Sequence, residues 1–334
     1  MAFTIDIHHH ILPNFFWEAT NEQSGPVGGI APARWSTDAA ISFMDDAGID
    51  VAITSISTPG VHLGDDAAAG ALARRCNEFS AELIQKYPSR FGGFACLPLP
   101  DVEGSLQEVA YALDVLKLDG VVLFSNARGV YLGDRRFAPL FQELQRRAAV
   151  VFVHPTTSPD TAFHQLGLPD SLLDFPVDTS RAIANLHYSN TFARTPNVKY
   201  IFSHAGGTIP YVATRFGIVD EMKVIEGAEE RGLTADTLRR LYWDTALSWK
   251  DPVLQMLRSV VGIGQVLYGS DFPYLRRDLA VRSRVELEAT AELIEAERAG
   301  ILGSNTLGLL PRLGAKFRSV GSPHRPSPRA HESE

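Results

Sequence analysis

Thr4-Ile5-Asp6-Ile7-His8-His9-His10-Ile11-Leu12-Pro13 sets three consecutive histidines inside an apolar, β-branched run near the start of the chain. Side chains alternate across a strand, so His8 and His10 share one face and His9 takes the other. Two imidazoles on one face can reach a single metal ion at about 2.0–2.1 Å. Pro13 has no amide hydrogen for a ladder, so the strand stops before it. The stretch reads as half of a metal site at the carboxyl end of a first strand. Surface histidines or a purification-tag remnant are the bland alternatives, and the apolar strand pattern around the histidines argues against a tag.

The pattern then repeats. Apolar strands are predicted at 51–56, 91–97, 120–124, 150–154, 198–204, 241–245 and 265–271. Helices are predicted between them at 37–48, 67–87, 105–116, 137–147, 179–192, 210–227 and 252–261. Two more close the chain at 284–298 and 305–316. Residues 14–36, rich in Gly, Pro and Trp, read as a long connection, and long connections in compact domains are usually functional. Eight buried strands alternating with helices imply a parallel sheet covered by helices, and eight such units fit a (β/α)8 TIM barrel. An open doubly wound sheet is the alternative, but no Gly-rich nucleotide fingerprint follows the first strand. Residues 1–317 are expected to form one barrel domain. The Ser-, Pro-, Arg- and Glu-rich stretch 318–334 is expected to be a disordered tail.

Composition narrows the partners. A net charge of −8 gives no general footprint for nucleic acid or an anionic membrane surface, so an anionic substrate must be held by local cations. Cys76 and Cys96 form no CxxC pair, which argues against a disulfide scaffold and for a reducing compartment. No apolar run is long enough to span a bilayer. These features point to a soluble, cytoplasmic protein.

The polar residues that interrupt the strands sit at their carboxyl ends: His8 and His10, His154, His204 and Asp271. In a barrel these positions ring one mouth, where barrel enzymes place their chemistry. Imidazole and carboxylate suit zinc or manganese.

Asp6-Ile7-His8-His9-His10-Ile11-Leu12-Pro13, Val153-His154-Pro155, Ser203-His204-Ala205-Gly206-Gly207 and Gly269-Ser270-Asp271-Phe272-Pro273 together resemble the signatures of the amidohydrolase superfamily. Within it the chain resembles the aminocarboxymuconate-semialdehyde decarboxylase branch and, most nearly, the 6-methylsalicylate decarboxylases. Trp243-Asp244-Thr245-Ala246 and the segment from Arg90 to Asp101 also fit that branch, and the likeness covers about residues 3 to 316. The resemblance implies metal ligation by His8, His10, His154 and Asp271. It implies an acid–base or substrate-polarising role for His204, and it matches Arg215 to an arginine that reaches the substrate carboxylate of a neighbouring subunit in a homodimer. Asp271 is expected to protonate the ring carbon, assisted by His204. Two-metal members carry a carboxylated lysine at the end of strand four. Here that strand ends Leu123-Phe124-Ser125-Asn126, so one metal per chain is expected, zinc first and manganese second, with no organic cofactor. The expected reaction is non-oxidative decarboxylation of a small ortho-hydroxylated aromatic carboxylate. A metal-dependent lactone, amide or ester hydrolase and a catalytically inert scaffold are the alternatives. Ala205, Gly206 and Gly207 are expected to leave room for substrate beside His204. His9 and His187 are expected to be structural, while His62 and His164 lie on loops that can line the pocket.

Overall fold

The apolar strands pair in chain order. β1 (Ile5–His10), β2 (Val51–Ser55), β3 (Phe91–Cys96), β4 (Gly120–Phe124), β5 (Val150–His154), β6 (Lys199–Phe202), β7 (Tyr242–Asp244) and β8 (Val266–Leu267) form one eight-stranded sheet. Every neighbouring pair is parallel. The computed structural model describes residues 3–24, 28–29, 31, 33–158, 166–310 and 312–314. The stretch 318–334 and His164 lie outside the described residues.

β8 returns to β1 and closes the ring. Ile7 N donates to Tyr268 O at 2.9 Å, Asp271 N to His8 O at 2.9 Å and His10 N to Phe272 O at 2.8 Å. The result is the expected (β/α)8 barrel. Both faces of each strand are covered, which is why β4, β5 and β6 are nearly unbroken apolar runs. Among the described residues no helix is long and apolar enough to cross a membrane. Cys76 and Cys96 are both free and buried.

Local sequence explains where helices begin and end. Ser36 accepts a hydrogen bond from Ala39 N to start Thr37–Ala47, and Gly48, at φ 69°, ends it in the left-handed conformation. Three segments depart from expectation. The connection 14–36 contains a helix, Asn14–Ser24. Helix Asp170–Tyr188 begins nine residues early and runs through Pro176, because buried Phe175 and Asp178 anchor that first half. The helix expected at 284–298 is two, Arg277–Ala289 and Glu295–Ala299. Thr290 breaks it: its hydroxyl donates to Asp251 and accepts from Glu292 N, a local bonding pattern that competes with the helix.

The seam between β8 and β1 is pinned by a buried carboxylate. Asp6 accepts from His8 N at 3.1 Å, Ser270 N at 2.9 Å, Ser270 Oγ at 2.5 Å and His9 Nδ1 at 3.0 Å. His9 points away from the mouth, stacked on Phe272 with ring centroids 4.7 Å apart, as its place on the opposite face of β1 requires. Removing the carboxylate strands several buried donors. Asp6→Ala is therefore expected to lose about 3–5 kcal/mol of stability, read as the shift in urea midpoint of the metal-free protein.

Candidate metal centre

The five mouth residues converge. His8, His154, His204 and Asp271 offer ligand atoms that all lie within 4.8 Å of one another. His10 joins them: its Nε2 is 3.1 Å from His8 Nε2 and 3.2 Å from Asp271 Oδ1, which is 3.3 Å from His8 Nε2.

Three of the imidazoles have one nitrogen already committed. His8 Nδ1 donates to Asp244 Oδ2 at 2.7 Å, His154 Nδ1 to the carbonyl of Pro155 at 2.7 Å and His10 Nδ1 to the carbonyl of Ser55 at 3.3 Å. An oxygen acceptor on Nδ1 sets the tautomer and leaves a lone pair on Nε2, the arrangement of metal-bound histidine. His204 differs, because neither of its ring nitrogens has a hydrogen-bond partner. Its Nε2 stands 3.6 Å from Asp271 Oδ2.

These surroundings order the charges. Burial disfavours protonated His8, but Asp244 and Asp271 outweigh it and raise its pKa to about 10. Burial lowers the pKa of His10, with Asp271 opposing and His8 adding to the fall. Burial and the neighbouring imidazoles push His154 well below its ordinary value. Burial works to raise Asp271, yet the charge of His8 and the close imidazoles of His10, His204 and His8 hold it well below the usual carboxylate range. Three imidazole nitrogens and a carboxylate crowd one point, and the carboxylates of Asp244 and Asp271 beside His8 favour a positive charge there. That donor set fits a divalent cation.

Backbone strain accompanies the cluster. His204, Ala205 and Asp271 all have positive φ, at 52°, 54° and 59°. Such conformers persist where surrounding bonds over-determine them. His204 N donates to Asp244 Oδ1 at 2.8 Å, and Asp271 N donates to His8 O. Gly206 and Gly207 do not leave room for substrate. A Cβ at Gly206 would stand 2.0 Å from the Trp243 ring, and one at Gly207 2.0 Å from the Pro176 carbonyl. They allow the loop after β6 to pack tightly on β7 and on helix Asp170–Tyr188.

Two neighbours of the cluster were not assigned roles from the sequence. Asp244, at the end of β7, orients His8, and the signal was the same as for the others, an acid at a strand's carboxyl end. Tyr274 packs edge-on against His10 with centroids 5.4 Å apart, and burial raises the pKa of its hydroxyl. Phe124 stands opposite His154 in the β4–β5 register, where a bridging lysine would be needed for a second metal. A cavity of about 460 Å³ is lined by Thr58, His62, Phe124, Asn126, Arg128 and Thr156 among others; none of the five cluster residues lines it, and Phe124, 6.2 Å from His154 between ring centroids, stands between the two. His62 thus reaches the pocket wall, whereas His187 is buried away from it against Thr234. Arg215 is not drawn to the cluster. It lies exposed on helix Ile209–Met222.

The amidohydrolase family profile matches residues 5–312. A 6-methylsalicylic acid decarboxylase of Aspergillus aculeatus is 37% identical over 319 residues, covering 92% of this chain and 96% of that one. A solved structure described as an amidohydrolase II superposes with a TM-score of 0.86 at 30% identity, covering 92% of this chain and 99% of the other. A 5-carboxyvanillate decarboxylase of Novosphingobium aromaticivorans, solved with manganese and a nitrobenzoic acid, shares the fold with a TM-score of 0.80 at 23% identity, over 92% and 96% of the two chains.

A metal that takes the place of the His8 proton must release it. Loading the metal-free protein at pH 7 to 9 is expected to free about one proton per chain. Below the His8 pKa of about 10, affinity should rise roughly tenfold per pH unit and weaken as pH falls, because protons then compete for the same nitrogen. Indicator-dye titration in weak buffer and calorimetry at several pH values measure both.

Proposed function

The chain belongs to the amidohydrolase family, and on that premise we propose that it is a metal-dependent carboxy-lyase of ortho-hydroxylated aromatic acids, converting 6-methylsalicylate or a close analogue to the phenol and carbon dioxide. The observation that carries this reading is the convergence of the imidazoles and Asp271 in a chain 37% identical, over 92% of its length, to a 6-methylsalicylic acid decarboxylase. The aminocarboxymuconate-semialdehyde branch is the placement we favour, with a 2-amino-3-carboxymuconate-6-semialdehyde decarboxylase of Dictyostelium discoideum 27% identical over 340 residues.

His8, His10, His154 and Asp271 are the proposed ligands of one divalent ion. The His-rich set favours zinc, and manganese is the alternative that elemental analysis would reveal. The ion, when bound, supplies a Lewis acid that orients the carboxylate and adjacent phenol oxygen. The ring carbon bearing the carboxylate must gain a proton. The bond to the carboxylate then breaks, its electron pair returns to the ring and carbon dioxide leaves. Asp271 is the proposed carbon acid. Because its neighbours hold it ionised, it must be recharged between turnovers, and the uncommitted imidazole of His204 beside Oδ2 is the group placed to do so. No organic cofactor enters this scheme.

Residues 1–317 are proposed to act as one domain, in the cytoplasm, as a homodimer. Helix Ile209–Met222 supports the dimer. Tyr211, Arg215, Ile218 and Met222 recur at spacings of four, three and four, so they share one helix face. All four are exposed, Tyr211 at 80%. An apolar stripe with a guanidinium in its middle suits a partner that buries the stripe and takes the arginine toward its own site.

Four measurements test these roles. Incubation of the metal-loaded protein with 6-methylsalicylate should release carbon dioxide and the phenol, and ester or lactone hydrolysis without decarboxylation would overturn the proposal. His204→Ala should lose about 10²–10⁴-fold in turnover with metal retained. Asp271→Asn keeps an oxygen for the metal but has no proton to give, so it should bind substrate and release almost no carbon dioxide. Near-normal turnover by that variant would move the proton to His204 or to water. Arg215→Ala should raise KM with metal content intact, and mixing it with His8→Ala should restore activity in exchanged dimers. No recovery would confine Arg215 to its own subunit.

A further inference from the structure

The cavity that Phe124 shares with the neighbourhood of His154 carries a cation that the reaction scheme does not use. Arg128 lines it, at the tip of a hairpin formed by Asn126–Ala127 and Val130–Tyr131 just past the end of β4. Its two central residues, Arg128 and Gly129, both have positive φ, at 53° and 84°. That is the pattern of a type I′ turn, whose first central position favours Asn, Asp or Gly. A long side chain there is held in a conformation that L residues adopt at a cost.

The hairpin is built to hold it. Asp178, buried on helix Asp170–Tyr188, accepts from Asn126 Nδ2 at 2.9 Å and from Tyr131 Oη at 2.6 Å, and these two residues are cross-strand partners. It also accepts from Ser125 Oγ. Asn126 Oδ1 in turn accepts from Gly129 N at 2.8 Å. Both strands of the hairpin are thereby clamped to the barrel while the tip stands exposed. No ion pair of Arg128 is present among the described residues, although surface arginines elsewhere in this chain are widely paired. Asp170 also lines the cavity, and it is engaged by the Thr157 hydroxyl at 2.9 Å.

A protein of net charge −8 that takes an anion needs a cation where the anion arrives. We infer that Arg128 is a substrate-binding residue of the mouth cavity, which captures the carboxylate of an aromatic acid before it reaches the metal. The inference rests on the aromatic-acid reading for its substrate class. Its own basis is a guanidinium on a cavity wall with no ion pair among the described residues, carried on a strained turn whose strands Asp178 clamps. Wall residues Leu97, Leu99, Val61 and Phe124 give the ring an apolar surface beside the charge.

The test uses the metal-loaded enzyme with salicylate and its neutral analogue salicylamide as calorimetric probes, alongside steady-state kinetics. Arg128→Gln should weaken salicylate binding and lower kcat/KM by roughly tenfold through KM, with salicylamide binding unchanged. The wild-type KM should climb with salt, and that dependence should flatten in the variant. Arg128→Lys should keep the salt dependence. Arg128→Gly should show the same kinetic loss and a higher Tm, because glycine accepts the positive φ without strain. Equal salicylate affinity in wild type and Arg128→Gln at low and high salt overturns the inference. So does a loss shared equally by salicylamide, a loss confined to kcat, or no salicylate binding by the wild type. If salicylate binding depends on Arg128 but no ortho-hydroxybenzoate yields carbon dioxide, the decarboxylase reading fails and the anion site stands.

Discussion

Three imidazole lone pairs and a carboxylate oxygen meet in one small volume, and this crowding is the constraint the rest of the molecule answers to. His8 Nε2 and His10 Nε2 stand 3.1 Å apart, and Asp271 Oδ1 lies 3.3 and 3.2 Å from them. Two lone pairs at that separation repel unless a positive charge lies between them. A proton on His8, favoured by Asp244 and Asp271, can serve, and a divalent cation serves better because it accepts every donor at once. Each Nδ1 is tied to an oxygen of Asp244, Pro155 or Ser55, so the rings cannot relax by flipping or by changing tautomer.

The barrel supplies the rigidity that this crowding needs. β1 carries two of the imidazoles, and buried Asp6 locks that strand to the Ser270 segment that carries Asp271. Asp244 does two jobs from β7: one oxygen orients His8 and the other holds the backbone of His204. Positive φ values at His204, Ala205 and Asp271 show that stability has been spent where the chemistry sits. Gly206 belongs to the same construction, since only a residue without Cβ lets the strained loop lie against Trp243.

Charge divides the labour differently. The centre is built from imidazoles and carboxylates. Two arginines stand apart from it, Arg128 on the cavity wall and Arg215 on an exposed helix stripe. An acidic protein that handles an anion gains from this separation. A cation at the mouth raises the local concentration of substrate, whereas a cation at the centre would compete with the metal.

Alternation of apolar runs and helices was enough, in the sequence alone, to determine an eight-fold barrel, and polar residues at strand ends were enough to mark His8, His10, His154, His204 and Asp271. Both follow from local periodicity: a strand buried on two faces must be apolar, so a histidine or acid at its end stands out. The split of the helix at Thr290, the run of helix Asp170–Tyr188 through Pro176 and the roles of Asp244, Gly206 and Arg128 were decided by tertiary structure. Asp244 looks like any acid at a strand end until His8, 236 residues away, is brought to its carboxylate. Arg128 looks like any surface arginine until a buried aspartate on a distant helix clamps its turn. Periodicity records which way a residue faces, and only the closed barrel determines what it faces.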